Sequence, residues 1–268
     1  LDQFFLSIDR QFVVSDDFIV NILSLKTENT RGASGSTSFP SPNATRTDDF
    51  ELFALSFDKF FDKGSLKVQM NRSSNDQVYD DSNSAFPVLS EHNLDYTSFG
   101  LKGKQLISES LNYEAAFHQK TERVDSSDLA KRELKTTSLS ITGNYVNLES
   151  DFKISPSLRF DSREENEKST FNLGFEALNK FNNSNSSFDF NLDIGSSFQF
   201  PTMNDLFWPD GLYSGGNPEL KPEESEYMAI SASNQSSLGK IKLTASFKDY
   251  KNLILWQPNE SFKYVPIN

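Results

Sequence analysis

The residues able to do chemistry are few and badly placed for it. Glu164-Glu165 and Glu223-Glu224 are paired carboxylates. Neighbours on an extended chain project to opposite faces, so neither pair has the spacing of a general acid and base. Asp76, Asp80 and Asp81 share one polar segment and could gather oxygen ligands around a Ca²⁺ ion. A solvated loop is the competing reading, and the better supported one, so no metal is assigned. The two histidines, His92 and His118, lie far apart, and the chain has no cysteine. A His triad, a His-rich metal site, a thiol nucleophile and a disulfide framework are therefore unsupported or excluded. There is no Gly-rich phosphate loop. A net charge of −12 argues against nucleic acid as a partner, since phosphates call for Lys and Arg. The expectation is a protein with no catalytic constellation and no cofactor.

The stretch with most character runs from Phe198 to Tyr227. Pro201, Pro218 and Pro222 lack a donor N–H and cannot sit inside a paired ladder. Gly215 and Gly216 allow a sharp reversal. The segment reads as a rigid, extended, non-repetitive hinge between two neighbouring strands. Its bland role is a structural clasp at a sheet rim, its sharper role a ligand contact.

The rest of the chain positions that hinge, and its period is two. Phe53, Leu55 and Phe57 alternate with Ala54, Ser56 and Asp58. Phe188, Phe190, Leu192 and Ile194 alternate with Asp189, Asn191 and Asp193. The 25 Phe are many for so polar a chain. The pattern gives about twelve strands and the start of another at Phe262–Asn268, each about ten residues, a length that crosses hydrocarbon. Pro156 predicts a bulge in its strand. Short turns near Ser15, Lys63, Glu109, Leu148, Asn183 and Ser237 alternate with long loops at 27–49, 73–93, 121–135, 162–168, 201–225 and 257–261. That wiring suits a membrane barrel with short inner turns and long outer loops. Aromatics near strand ends (Phe12, Phe61, Tyr145, Phe181, Phe200, Tyr250, Trp256) suit interfacial girdles or are ordinary strand-end hydrophobes.

Phe200-Pro201-Thr202-Met203-Asn204-Asp205-Leu206-Phe207, followed by Gly216-Asn217-Pro218-Glu219-Leu220-Lys221-Pro222-Glu223, resembles the barrel signature of TonB-dependent outer-membrane receptors. Phe247 to Trp256 resembles a later strand of that family, and Asn204 to Pro209 is similar to its cobalamin-receptor branch. The resemblance implies an all-β, antiparallel up-and-down transmembrane β-barrel, here about 12–13 strands of a barrel of about twenty-two. Residues 1–268 would be a partial barrel domain without its plug. The family implies uptake of cobalamin or a ferric siderophore across the outer membrane of a Gram-negative cell. Its partners would be outer-membrane lipid and a TonB energy-transducing complex acting through the missing plug. Pro201, Asn204, Leu206, Asn217, Pro218, Leu220, Pro222 and Glu223 carry the signature. Alternatives are a passive porin-like channel, an adhesin barrel or a soluble β-sheet binding domain, the last requiring Phe-rich faces packed against each other.

Overall fold

The computed structural model describes residues 2–33, 41–84, 87–127, 129, 131–147, 149, 151–164, 166–180 and 187–268. Twelve strands form one antiparallel sheet in which each pairs with the next in sequence. They are β1 (Asp2–Ser15), β2 (Phe18–Gly32), β3 (Thr45–Phe61), β4 (Gly64–Asp80), β5 (Leu89–Ser108) and β6 (Leu111–Ser126). Next come β7 (Arg132–Asn147), β8 (Phe152–Arg163), β9 (Asn166–Lys180), β10 (Ser187–Gln199), β11 (Glu223–Ser236) and β12 (Gly239–Lys251). One short helix, α1 (Met203–Phe207), lies between β10 and β11. No helix of the described residues is long and apolar enough to cross a membrane.

The order is the up-and-down arrangement expected, but the strands are longer than expected, from 12 to 20 residues. The excess lies at the long-loop end. The expected 27–49 loop is strand at both its ends, because polar cross-strand pairs carry the ribbon past the last apolar pair. Lys26 binds Glu51 at 3.0 Å, Thr30 and Thr47 share a hydrogen bond of 3.0 Å, and Arg31 meets Asp48 at 3.3 Å. Likewise Arg123 reaches Glu133 between β6 and β7. Two-residue turns stand at Asp16-Asp17, Asp62-Lys63, Glu109-Ser110 and Ser237-Leu238. The turn positions Leu148 and Asn183, and the girdle candidate Phe181, lie outside the described residues.

The fold's contacts cluster in two compact units. The first comprises Leu1–Phe61, Ser65–Leu101 and His118–Thr137. Register places Phe12 beside Val20, Val20 beside Phe57 and Ile22 beside Leu55, so one face is apolar. Phe18 and Phe57 stack at 6.4 Å on that face. On the other face Gln11 bonds Asn21, which donates to Ser56 and Asp58 at 3.2 and 3.1 Å.

The second unit comprises Asp62–Gly64, Lys102–Phe117 and Ser138–Asn268. Register aligns Pro156, Leu173, Ile194, Met228 and Phe247 in one row across five strands. Ile154, Phe175, Leu192, Ile230 and Ala245 form the row beside it. The opposite face is laced by Ser155 to Asn144 (3.0 Å) and Ser233 to Asp189 (2.9 Å). Arg159 forks onto the buried carboxylate of Asp161, which also accepts from Ser138.

The apolar rows are not a covered core. Phe53 is 49% exposed, Met228 47% and Phe247 66%. In a two-sheet sandwich these side chains would be buried between layers. Among the described residues the only other sheet is a small hairpin, β13 (Leu255–Pro258) with β14 (Tyr264–Ile267). A soluble sandwich therefore does not describe this chain.

Two strand-level expectations are corrected. The β8–β9 register runs unbroken through Pro156↔Leu173, so that ladder carries no bulge at Pro156. Phe262–Asn268 does not open a thirteenth strand of the large sheet, because β14 pairs with β13.

Candidate functional site: two joined loops

The loop after β10 begins with an anchor. Phe200 packs edge-on against Phe198 at 5.0 Å. The Arg163 guanidinium lies 4.7 Å over the Phe200 ring and donates to the Pro201 carbonyl at 3.1 Å. Phe200 thus belongs to this anchor.

The next residues are not extended, as the sequence pattern suggests, but turn once as α1. The reason is local. Thr202-Met203-Asn204-Asp205 is a capping box, with Asp205 N donating to Thr202 Oγ1 and Thr202 N donating to the Asp205 carboxylate. This Thr-x-x-Asp signal is present in the sequence, overshadowed by the chain-breaking Pro201 just before it.

Asp205 then ties the helix to two other segments. Its carboxylate accepts from Trp256 Nε1 at 2.9 Å, and its backbone carbonyl accepts from Asn217 N at 2.7 Å. Burial pushes this carboxyl up, but the hydrogen bonds from Thr202 and Trp256 outweigh it and hold Asp205 below its ordinary value. Trp208 meets Trp256 edge to face at 6.4 Å and donates to Ser214. Gly216 N donates to Trp208 O, and a Cβ on Gly216 would stand 2.6 Å from Trp208 N, so only glycine fits.

The hairpin after β12 is sewn onto this loop. Gly215 N donates to Tyr264 O and Tyr264 N to Tyr213 O. Asn217 Nδ2 donates to Pro266 O at 3.1 Å. Lys221 and Asn268 exchange two hydrogen bonds, of 2.7 and 3.0 Å. Glu223 accepts from Ile254 N at 2.7 Å, and Lys263 pairs with Asp210. The two loops are one hydrogen-bonded body. At its surface Leu212, Tyr213 and Phe262 are each more than 80% exposed.

The signature residues divide by role. Asn217 and Glu223 bridge to the next loop. Pro201, Leu220 and Pro222 are buried, and Leu206 is half-buried in the helix. Asn204 is exposed and accepts Trp208 N through its carbonyl, while Pro218 is exposed. Trp256 joins the loop body, a role its place near a strand end did not reveal. Tyr264 and Asn268 gave no advance signal, because their bonds join segments remote in sequence.

The acidic candidates do not converge. Asp76 accepts from Asn93, Asp80 caps Ser82, and Asp81 is buried, its backbone bonded to Ser84 and Val88. Among the described residues no three His, Asp or Glu side chains are grouped to hold a metal ion.

An up-and-down sheet with an exposed apolar face, a hydrogen-bonded polar face and long joined loops at one end has the build of a transmembrane barrel wall. The family described as "TonB dependent receptor-like, beta-barrel" matches residues 4–268, and the chain belongs to it. Vitamin B12 transporter BtuB of Photobacterium profundum is 40% identical over 80 residues, covering 28% of this chain and 12% of that protein. A ferric enterobactin receptor (PfeA) mutant from Pseudomonas aeruginosa superposes with TM-score 0.83 at 13% identity, covering 99% of this chain and 47% of that one. The siderophore receptor PirA of the same organism gives 0.79 at 14% identity, covering 98% and 50%. This chain thus spans about half the length of those two receptors.

Two outcomes test the joined loops. The carboxyl of Asp205 is held below its unfolded value, about 3.9, so its contribution is present above that pH and lost as pH falls through the folded value. Acid titration should therefore red-shift Trp208 and Trp256 emission in the native protein. Asp205→Asn should show looser tryptophans at neutral pH and no acid step; identical titrations would remove Asp205 from the centre of the body. Separately, Pro218→Ala with Pro222→Ala should cost about 1 kcal/mol or more and lower assembly more than ligand affinity. Normal assembly with a selective loss of affinity would contradict a clasp role.

Proposed function

We propose that this chain is the wall and outer loops of an outer-membrane receptor that actively takes up a scarce, bulky nutrient. The observation that carries this is the family match over residues 4–268. Cobalamin is the first substrate, supported by the 40% identity to a vitamin B12 transporter over 80 residues. A ferric siderophore is second, supported by the fold shared with siderophore receptors. In this reading residues 1–268 are part of one barrel domain, and the joined loops form part of the outer mouth. Pro201, Asn204, Leu206, Asn217, Pro218, Leu220, Pro222 and Glu223 serve as a clasp that holds consecutive loops in register. Energy would come from a TonB complex acting on a plug domain, which separates this reading from a passive channel or an adhesin. The protein transports and does not catalyse.

The physical logic is that of a rigid rim. A bulky ligand is bound tightly only if the surface that meets it is ordered beforehand. Side-chain and backbone hydrogen bonds between the two loops supply that order without a disulfide.

Cells carrying the full-length protein should bind labelled cyanocobalamin in competition with unlabelled cobalamin and not with ferric siderophores. Binding only of a ferric siderophore would move the assignment to that class. Binding of neither would remove the nutrient-uptake reading.

A further inference from the structure

β9 and β10 both continue past the point where their ladder stops. Their register runs from Ser187↔Lys180 to Gly195↔Asn172 and ends there, although β9 begins at Asn166 and β10 continues to Gln199. On their far edges both remain paired. β9 follows β8 to Arg163↔Asn166, and β10 follows β11 to Gln199↔Glu223. The sheet forks here, with β8–β9 on one side and β10–β11 on the other.

Side chains occupy the crotch of the fork. The Asn172 amide, with its nitrogen turned inward, faces the carbonyls of Phe171 (3.1 Å) and Ser196 (3.2 Å) and the hydroxyl of Tyr227 (3.2 Å). Phe171 N donates to Ser196 Oγ at 3.2 Å in place of a backbone partner. Gly195 makes this possible, since a Cβ there would stand 1.9 Å from the end of the Asn172 side chain. Beyond the crotch a cavity of about 200 Å³ is lined by Lys168, Thr170, Ser197, Glu224, Ser225 and Lys251.

The fork is spanned by side chains. Lys168 binds Glu224, and Arg163 reaches the Pro201 carbonyl. The β10–β11 side is also the side that carries the joined loops. Where a ladder holds two strands, separating them breaks a row of backbone hydrogen bonds together. Here two side-chain contacts stand in that row's place: the buried Arg163 guanidinium on Phe200 and the Pro201 carbonyl, and the Lys168–Glu224 pair, whose side chains are 28% and 40% exposed and whose kind is weak.

We propose that the fork is a hinge on which the joined loops swing against β8–β9, with Asn172 and Gly195 as its pivot, Lys168–Glu224 as its latch, and the Arg163 contact with Phe200 and Pro201 as a second tie that the swing must release. Swinging leaves the ladders of β8–β9 and β10–β11 intact, so the loop body moves as a unit. The hinge requires no particular ligand and stands apart from the choice of nutrient.

Residue-resolved hydrogen exchange on the full-length protein in lipid discs tests this without ligand. N–H directions alternate along a strand, so the amides of Ser169 and Phe171 face the fork, and those of Leu173 and Phe175 face the β10 ladder. The first pair should exchange at least about tenfold faster than the second. Lys168→Met should speed Ser169 and Phe171 a further two- to fivefold, roughly what a partly exposed ion pair is worth, and Lys168→Arg should restore them. Equal protection of the two pairs in the native protein would overturn the hinge. Acceleration in both variants, or in neither, would overturn the latch.

Discussion

A backbone amide in hydrocarbon has no water to bond, and leaving it unpaired costs several kcal/mol. The architecture of the large sheet answers to that constraint. Each of the twelve strands pairs with its sequence neighbours, so the ladder passes from one hairpin to the next without crossover. Two-residue turns join β1 to β2, β3 to β4, β5 to β6 and β11 to β12 and keep the pairing local, while the connection from β10 to β11 is long. The pleat then sorts side chains to two faces, and the sequence fills them differently.

The two faces do different work. Rows such as Pro156–Leu173–Ile194–Met228–Phe247 present an exposed apolar surface, which in water would be an aggregation liability and in a membrane is a solvated one. The other face is tied by Asn, Ser and Asp hydrogen bonds, with Asp161 buried under Arg159 and Ser138. At the long-loop end the constraint lapses and the chain uses other means. A capping box makes α1, proline ends the ladder at Pro201, and Asn217, Lys221 and Glu223 fasten one loop to the next. The departure between β9 and β10 follows the same logic, because Asn172 and Ser196 supply the partners that the ladder no longer gives.

Much of the fold was legible because period two is a strong signal when one face meets lipid. Phe53, Leu55 and Phe57 announced β3, and Phe188 to Ile194 announced β10. Strand length was underestimated because apolar alternation ends before the strand does, and polar pairs such as Thr30 with Thr47 leave no periodic trace. Pro156 pointed to a bulge, but its register against β9 runs unbroken. Of the joined loops, one half was visible in Pro201 to Glu223. The other half was not, since Asn268 and Tyr264 act through backbone partners more than forty residues away. The fork was invisible for the same reason, as nothing in Asn172 or Gly195 alone says that they meet.

The central claim is that alternate side chains face hydrocarbon, and spin labels test it most directly. Single labels at consecutive positions 188 to 195 of the full-length protein in lipid vesicles would be read against oxygen, which partitions into lipid, and a water-soluble nickel chelate. Phe188, Phe190, Leu192 and Ile194 should show high oxygen and low nickel accessibility. Asp189, Asn191 and Asp193 should show the reverse, in antiphase with a period of two. A profile without alternation, or with the aspartates facing lipid, would contradict the account.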